Sequence, residues 1–397
     1  MQHDSSKLTS GTFGGTEVTG TTSSYIGPNA GGKNLFRNLL CSLLGVALVI
    51  FFAGPMAQAH DNDTFLPLPN AMRSVSTMPS NGDVNPYGVA FVPGSFPQTG
   101  MLKQGDVLVS NFNNNQNLQG TGTTIIRIPV NGSPTLFFQE KAPLGLSTAL
   151  NVLKGGYVVV GNFPTADGTC ATAQPGSILV INSAGKPVST LTNSLIDGPW
   201  DSTVYDQGNT AKLFVSNALN GTVVRLDLAV SQSGVSIVKA TQVASGFMHR
   251  CDPAALVVAP TGLVYDAHKD VLYVASTEDN AVFSVPNAGT SSTDQGTGEE
   301  IYQDQVHLHG ALAMTLAPNG DLLVTNSDVI NSDPNQPSEI VEFTTTGAFV
   351  RELPVDPNQG GSFGLAVIST SASNNTAQLA AVDDNALTLT IWNIPLD

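Results

Sequence analysis

Three histidines have the residue type and spacing of a metal site. His307 and His309 are separated by one residue in "HLHG", and alternate side chains of an extended chain point to the same side. Two imidazoles at this spacing can bind one transition metal such as zinc, with His249 as a third ligand. The alternative is that these histidines belong to ordinary connections and bond to backbone, because no acidic residue stands beside them.

A second set of polar residues follows apolar runs at regular intervals. Its members are Asn111, Asn162, Asn217, Asn326 and Asp383. Calcium takes six to eight oxygen ligands, and amide and carboxylate oxygens of this kind can supply them. Asparagine after a strand is also a common turn residue, because its side chain bonds to nearby backbone. Both interpretations stay open at this stage.

Trp200 and Asp201 form a third candidate pair, in the segment "PWDSTV". A tryptophan here can stack against a ligand, or it can fill the core.

The elements that must position these residues are six repeated units. The units start at Pro86, Pro143, Pro199, Pro260, His309 and Ser362, at spacings of 57, 56, 61, 49 and 53 residues. Each start leads into a short apolar run, a turn, a second run such as "GDVLVSN" and a third such as "TIIRIPV". Runs of four to seven aliphatic residues separated by Asn-Gly, Gly-Asp and Pro favour strands over helices.

Six four-stranded units of this size predict an all-β, six-bladed β-propeller. The last unit provides only three strands, ending in "LTLTIWNI", whereas an extra strand, "AMRSVSTMPS", begins at Ala71 before the first unit. We expect this N-terminal strand to complete the last blade, because pairing would cover an open sheet edge.

Propeller topology places the candidate residues on one rim. The start of each first strand and the end of each second strand share a face, so the histidines and the asparagine set surround the channel mouth. Two long connections, after Asn111 and Asn326, leave the same rim. Long loops on a rigid scaffold often bind partners.

The N-terminus has the three parts of a secretory signal. Lys33 and Arg37 precede the apolar run from Leu39 to Ala53, and a small-x-small triplet ends at Ala59. We predict a disordered leader at 1–32, a signal peptide at 33–59 and one propeller domain at 60–397. The run of about 15 residues is shorter than the roughly 20 that span a bilayer, so an uncleaved anchor is the less favoured alternative.

Cysteine use fits a secreted or periplasmic protein. Cys41 lies within the signal, which leaves Cys170 and Cys251 as a pair. In an oxidising compartment two such residues predict a disulfide, and two buried free thiols are the alternative.

Composition excludes several classes of function. The net charge of −16 repels nucleic acid and anionic membrane surfaces. The sequence lacks a Walker loop, a dinucleotide-binding glycine pattern and HExxH, which are the motifs of common nucleotide and zinc-protease sites. We expect a monomer without a nucleic-acid partner, in contact with a membrane only through an uncleaved anchor.

One unit, "APTGLVYDAHKDVLYVASTEDNAVFSVPNAG", resembles an NHL-type repeat. The resemblance covers roughly 71–397 and implies the six-bladed propeller of NHL-like and gluconolactonase-like proteins, which include binding modules, lyases and metal-dependent lactonases. NHL-like lyases are similar in using histidines at this face, and gluconolactonase-like propellers place asparagines and acidic residues around an axial calcium. The acidic partner expected on the first inner strand is missing from "PYGVAF".

Two functions follow as hypotheses. The first is an exported scaffold that binds a protein, glycan or small molecule on its loop-rich rim. The alternative is a metal-dependent lyase or hydrolase at the channel mouth, with zinc on the histidines or calcium on the asparagine set.

Overall fold

The computed structural model of the chain describes residues 64–66, 73–141, 144–369 and 375–396. All of them lie within the unit His60–Asp397. The predicted leader and signal peptide lie outside the described residues. In the part of the chain that is described, no helix has the length and hydrophobicity needed to cross a bilayer.

The described strands, numbered β1 to β26 in chain order, form six four-stranded antiparallel sheets and one small hairpin. The first three blades are β2 (Val84–Phe91), β3 (Val107–Asn113), β4 (Thr124–Ile128) and β5 (Thr135–Gln139); β6 (Leu146–Leu153), β7 (Tyr157–Asn162), β8 (Ser177–Asn182) and β9 (Pro187–Leu191); and β10 (Pro199–Asp206), β11 (Thr210–Asn217), β12 (Thr222–Ser231) and β13 (Gly234–Ser245). The hairpin is β14 (Arg250–Asp252) and β15 (Leu256–Val258).

The second half of the ring follows the same pattern. Its blades are β16 (Pro260–Asp266), β17 (Val271–Ser276), β18 (Ala281–Pro286) and β19 (Glu299–Gln303); β20 (Ala311–Leu316), β21 (Leu322–Asn326), β22 (Glu339–Phe343) and β23 (Phe349–Pro354); and β24 (Ser362–Ser369), β25 (Thr376–Asp383) and β26 (Thr388–Pro395) with β1 (Arg73–Ser76). All six inner strands begin within three residues of the predicted unit starts. The six-bladed propeller is therefore confirmed.

The N-terminal strand closes the ring as predicted. Strand β1 pairs antiparallel with β26, from Arg73 opposite Ile391 to Ser76 opposite Thr388. Ahead of it, the backbone N–H groups of Phe65 and Leu66 donate to the buried carboxylate of Glu342, at 2.6 and 2.8 Å. The beginning of the domain is thus fixed to its last two blades.

Every inner strand has a bulge near its start. The register shifts at the same place in all six blades, between Pro86 and Val89 in the first and between Ser362 and Leu365 in the last. Glycine often stands in this bulge, because neighbouring inner strands come close there. A Cβ on Gly364 would lie 1.8 Å from the carbonyl oxygen of Tyr87. The glycine of the repeated opening motif is therefore required by the approach of adjacent blades.

A disulfide joins the hairpin to a distant blade. Cys251 on β14 is bonded to Cys170, in the connection between β7 and β8, with Cα atoms 5.7 Å apart. The predicted pairing is confirmed. Gln119, from the connection after β3, donates to the carbonyl of Ala254 at the hairpin turn. The hairpin, which sequence patterns did not reveal, is thus held by the connections of blades 1 and 2.

Candidate functional site

The predicted ring of asparagines holds the propeller together. Asn217 accepts from the Asp197 N–H at 2.9 Å and donates to the Leu195 carbonyl and the Thr222 hydroxyl at 2.8 and 2.9 Å. It ties the connection between blades to the start of the third strand. Its side chain is fully buried.

The same tether recurs in other blades. Asn111 donates to the Thr124 hydroxyl, and Asn162 accepts from the Ser177 hydroxyl. Asp383 of the last blade accepts from the Ala386 N–H at 3.1 Å. These side chains are directed at their own blades, so the set does not fit an axial calcium ion.

The three predicted histidines each make their own local contacts. His309 is buried, and its two ring nitrogens face backbone carbonyl oxygens, those of Asn331 and of Val306, the latter at 3.0 Å. Nδ1 of His307 lies 2.5 Å from the Asp304 carboxylate, and Nδ1 of His249 lies 3.2 Å from the carbonyl of Phe247. Among the described residues no group of three or more His, Cys, Asp or Glu side chains is placed to hold a metal ion. The histidines therefore do not fit a zinc site.

Five aromatic rings close the channel beneath the rim. Tyr87 lies against Phe112, Phe363 and Trp200 with ring centroids 4.9–5.7 Å apart, and Phe163 packs on Trp200 at 5.7 Å. We call these five rings the aromatic plug. Trp200 is only 2% exposed and is therefore part of the core. It also lines the cavity on the rim side of the plug.

Asp201 lies on the channel side of the plug. Its carboxylate accepts from the Ser202 N–H at 2.7 Å and from the Leu263 N–H of the next blade at 3.3 Å. Burial raises the pKa of Asp201 to about 8, so the carboxyl is largely protonated at neutral pH. It joins blades 3 and 4 rather than facing the rim.

A cavity of about 320 Å³ lies on the rim side of the plug, and we call it the rim cavity. Tyr87, Trp200 and Phe363 contribute its aromatic surface. Its walls come from the long connections after β3 and β21, from the hairpin and from the segment before β24. Both long connections predicted at the rim thus contribute to one concave site.

Unsatisfied polar atoms are concentrated in the wall of the rim cavity. Ten buried side-chain polar atoms of the described residues have no hydrogen-bond partner within the protein. Four belong to residues lining this cavity: Oδ1 of Asn85, Asn113 and Asp328, and Nε1 of Trp200. None belongs to the described residues that line a second cavity, of about 310 Å³, along the channel. Because buried polar groups normally have partners, the rim cavity is the better candidate for a ligand site.

The indole of Trp200 is oriented by the plug. Its N–H faces the hydroxyl of Tyr87 without reaching hydrogen-bond geometry. Burial raises the pKa of Tyr87, and the nearby Asp384 adds to the effect. The Tyr87 hydroxyl therefore stays protonated over the whole physiological range.

Two carboxyl groups of the rim cavity have perturbed acidity. Burial, followed by the charge of Asp383, raises the pKa of Asp384 to about 7. Burial also raises the pKa of Asp328, although N–H groups of Gly360 and Ser338 donate to its other oxygen. Perturbed carboxyls in a cavity are typical of functional sites.

Three residues of the rim cavity have a left-handed backbone. The φ angles of Asn85, Asn117 and Asp328 are 59°, 57° and 57°. Asparagine and aspartate adopt this region more readily than other residues with a side chain. Local strain of this kind is concentrated at functional sites.

The rim cavity is lined by close neighbours along the chain of several residues predicted from the sequence. Of the predicted rim set, only Trp200 lines the rim cavity. Asn113, Asp328 and Asp384 lie two, two and one residues beyond the predicted Asn111, Asn326 and Asp383. The earlier residue bonds within its blade, and the later one reaches the cavity, because the chain leaves the strand there.

Comparison with known proteins found similarity among solved structures. No protein-family model matches the chain, and no curated protein matches it. It is similar to an inactive variant of virginiamycin B lyase from Staphylococcus aureus with quinupristin, at 14% identity and a TM-score of 0.46 over 82% of this chain and 89% of that chain. It is also similar to regucalcin, a calcium-binding protein from Agrobacterium tumefaciens, at 12% identity and a TM-score of 0.49 over 81% and 95%.

A gluconolactonase from Xanthomonas campestris is a further similar structure, at 11% identity and a TM-score of 0.49 over 83% of this chain and 98% of that chain. All three TM-scores lie below 0.5, so the assignment of the propeller rests on the strands and sheets of this chain.

Proposed function

We propose that the protein binds a small molecule in the rim cavity. The observation that carries this proposal is the coincidence of three unpartnered oxygens with an aromatic surface in one concave site. A concave, partly apolar site with a few convergent polar groups is the usual form of a ligand pocket. A ligand that meets these oxygens would offset a cost of about 1–3 kcal/mol for each buried unsatisfied group.

A cavity-filling variant tests the proposal. Ala255 lies in the hairpin and lines the rim cavity, so Ala255→Trp should occupy it. Ala184 is an exposed turn residue away from this cavity, and Ala184→Trp is the matched control. Fragments detected by ligand-observed NMR with the wild type should stop binding to Ala255→Trp and still bind to Ala184→Trp. Identical binding profiles for all three proteins would contradict the proposal.

Acid–base catalysis is a second candidate function, favoured by Asp384. A carboxyl with a pKa of about 7 can exchange a proton with a substrate near neutral pH. Asp328 lies in the same cavity and supplies a second carboxyl. This is a lyase or hydrolase activity at the channel mouth that uses carboxyls in place of the predicted histidines.

A substrate panel tests the catalytic candidate. Hydrolysis of aromatic esters and lactones should fall at least 100-fold in Asp384→Asn, within the range typical of a lost general acid or base. Asp333→Asn, in the connection after β21 but outside the cavity lining, should retain activity. Equal rates in the two variants would remove Asp384 from any catalytic role.

We propose further that the protein acts outside the cytoplasm. The Cys170–Cys251 disulfide supports this location, because such bonds persist in oxidising compartments. N-terminal sequencing of protein recovered from the exported fraction should give a chain that starts at His60. Recovery of the protein only from the cytoplasm with both thiols free would contradict the proposal.

A further inference from the structure

Several polar side chains of the rim cavity already donate to protein acceptors, whereas three side-chain oxygens and the N–H of Trp200 have no partner within the protein. Nε2 of Gln119 donates to Ala254, and the hydroxyls of Thr277 and Ser327 donate to the carbonyls of Ala311 and Gly310 at 2.7 and 2.8 Å. Nδ2 of Asn113 donates to Oδ1 of Asn117 at 2.7 Å. This bond leaves Oδ1 of Asn113 as the unpartnered end of the amide.

Three oxygens remain in the wall, those of Asn85, Asn113 and Asp328. All three accept hydrogen bonds and, with Asp328 ionised, none can donate. The partner that these three oxygens lack is therefore a group with several donors. A hydroxyl supplies one donor, whereas an ammonium group supplies three.

The charge of the residues that line the rim cavity also favours a ligand with hydrogen-bond donors and a positive charge. Asp328 and Asp384 are both acidic, and none of the described residues that line the rim cavity is Lys, Arg or His. A cation entering the cavity therefore meets two carboxyls and no competing positive side chain. An anionic ligand would meet repulsion with no compensating group.

The aromatic surface adds a third argument. Tyr87, Trp200 and Phe363 line the rim cavity, and aromatic faces attract cations. The same rings offer an apolar surface for the body of the ligand. The hairpin adds Ala255, Val257 and Val258 to the apolar part of the lining.

We infer that the rim cavity takes a primary ammonium compound with a compact apolar body. This inference rests on the proposed ligand-binding function and names its ligand class. An ammonium group has three N–H donors and no acceptor, which matches the three unpartnered oxygens. The apolar body would lie against the aromatic surface and the hairpin.

Four probes that share a phenyl group separate the contribution of the charge from that of the hydrogen-bond donors. 2-Phenylethylamine has the charge and the donors, and its trimethylated quaternary analogue has the charge alone. 2-Phenylethanol has one donor and no charge, and 3-phenylpropanoate has the opposite charge. Titration calorimetry at pH 8 on the full domain should show the amine binding at least tenfold more tightly than each of the other three.

Two variants test whether residues of the rim cavity cause the preference for the amine. Asp328→Asn removes the charge, and Asn113→Leu removes an unpartnered oxygen. Each should weaken amine binding at least fivefold and change binding of the alcohol by less than twofold. The control Asp333→Asn removes one negative charge from the same connection and should leave both affinities unchanged. Thermal unfolding of each variant checks that the propeller is intact.

The outcomes distinguish the ligand class from the binding function. Tighter binding of the alcohol or the carboxylate, abolished by Ala255→Trp, would overturn the ammonium assignment and keep the rim cavity as a ligand site. Amine and quaternary analogue binding equally would show attraction by charge and rings alone, which would overturn the role of the three oxygens. No binding of any probe, together with fragment profiles unchanged by Ala255→Trp, would overturn both proposals.

Discussion

Asn326 donates a hydrogen bond of 3.0 Å to the carboxylate of Glu339, at a position where other blades bond an asparagine to a hydroxyl. The corresponding residues in the other five blades are Thr124, Ser177, Thr222, Ala281 and Thr388. Glu339 is 1% exposed, and its Oε1 has no partner among the described residues. One blade thus contains a buried carboxyl where its repeat uses small residues.

Glu339→Thr should stabilise the protein above neutral pH. Burial raises the pKa of Glu339 from its ordinary value of 4.5 to about 7, so ionisation is unfavourable in the folded state. The cost is absent below about pH 4.5 and complete above about pH 7, where it amounts to about 2–3 kcal/mol. Denaturant unfolding at pH 8 should show this gain, and unfolding at pH 4.5 should show little of it.

Glu339→Gln is the control for size, because it keeps the side chain and removes only the charge. It should recover part of the gain at pH 8. A loss of stability in both variants at pH 8 would mean that the ionised carboxylate of Glu339 makes a net favourable interaction in the folded protein.

Asn217→Ala should destabilise the protein more than Asn162→Ala. Asn217 makes three hydrogen bonds to two separate segments, whereas Asn162 bonds to the Ser177 hydroxyl. With about 1 kcal/mol for each bond and a further cost for buried groups left unpaired, we expect about 3 kcal/mol against about 1 kcal/mol. Chemical unfolding measures the difference, and equal losses would argue against the tether.

His309→Ala should lower stability and leave the metal content unchanged. The imidazole lies between the carbonyls of Val306 and Asn331, so its removal costs at least one hydrogen bond and the packing of the buried ring, at about 1 kcal/mol or more. Elemental mass spectrometry on untagged protein gives the metal content, with His249→Ala as the comparison. Stoichiometric zinc in the wild type that disappears in either variant would restore the metal site.

The proposed amine binding should strengthen as pH rises. Asp384 is faced by Asp383 and by the hydroxyl of Tyr87, and its pKa is about 7. It is therefore mostly neutral at pH 5.5 and mostly ionised at pH 8, while the amine stays an ammonium at both. Asp328, which senses His309 and Glu339, also has a raised pKa and changes in the same direction.

Calorimetry at the two pH values should show an affinity about tenfold higher at pH 8, with proton release on binding. Asp384→Asn should flatten the profile. A profile unchanged by this variant would assign the pH effect to another group.

Cys170→Ser/Cys251→Ser should reduce the free energy of unfolding by about 4 kcal/mol. The bond closes a loop with a sequence separation of 81 residues, and the chain-entropy model relates this length to that value. Denaturant unfolding of the double variant measures the loss. A loss below about 1 kcal/mol would mean that the hairpin and blade 2 hold together without the bond.

The blade framework could be predicted because local and repeated signals agree. In "VSN" and "VTN" the hydroxyl residue fills the bulge, as when Ser110 accepts from the Gly88 N–H at 2.9 Å, and the following asparagine makes the tether. Both roles are local to one blade. A repeated pattern therefore identified their positions, although it could not say that the amides were already engaged.

The aromatic plug could have been predicted from the sequence. Tyr87, Trp200, Leu312 and Phe363 each directly follow the last inner-strand residue paired before the bulge, and large side chains there meet on the axis. The rim cavity left no such signal. It is built by irregular connections from different blades, and neither their meeting nor the hairpin's position follows from strand periodicity.

The pairing of β1 with β26 also constrains when the propeller can finish folding relative to its synthesis. The partner of Arg73 is Ile391, so a strand that emerges early from the ribosome waits for one of the last segments to be synthesised. The ring cannot close while the chain is still growing, and the first and last residues of the domain must meet before the sheet edges are covered. Closure of the last blade is therefore a step that follows synthesis, and it is the step that covers the final open sheet edges.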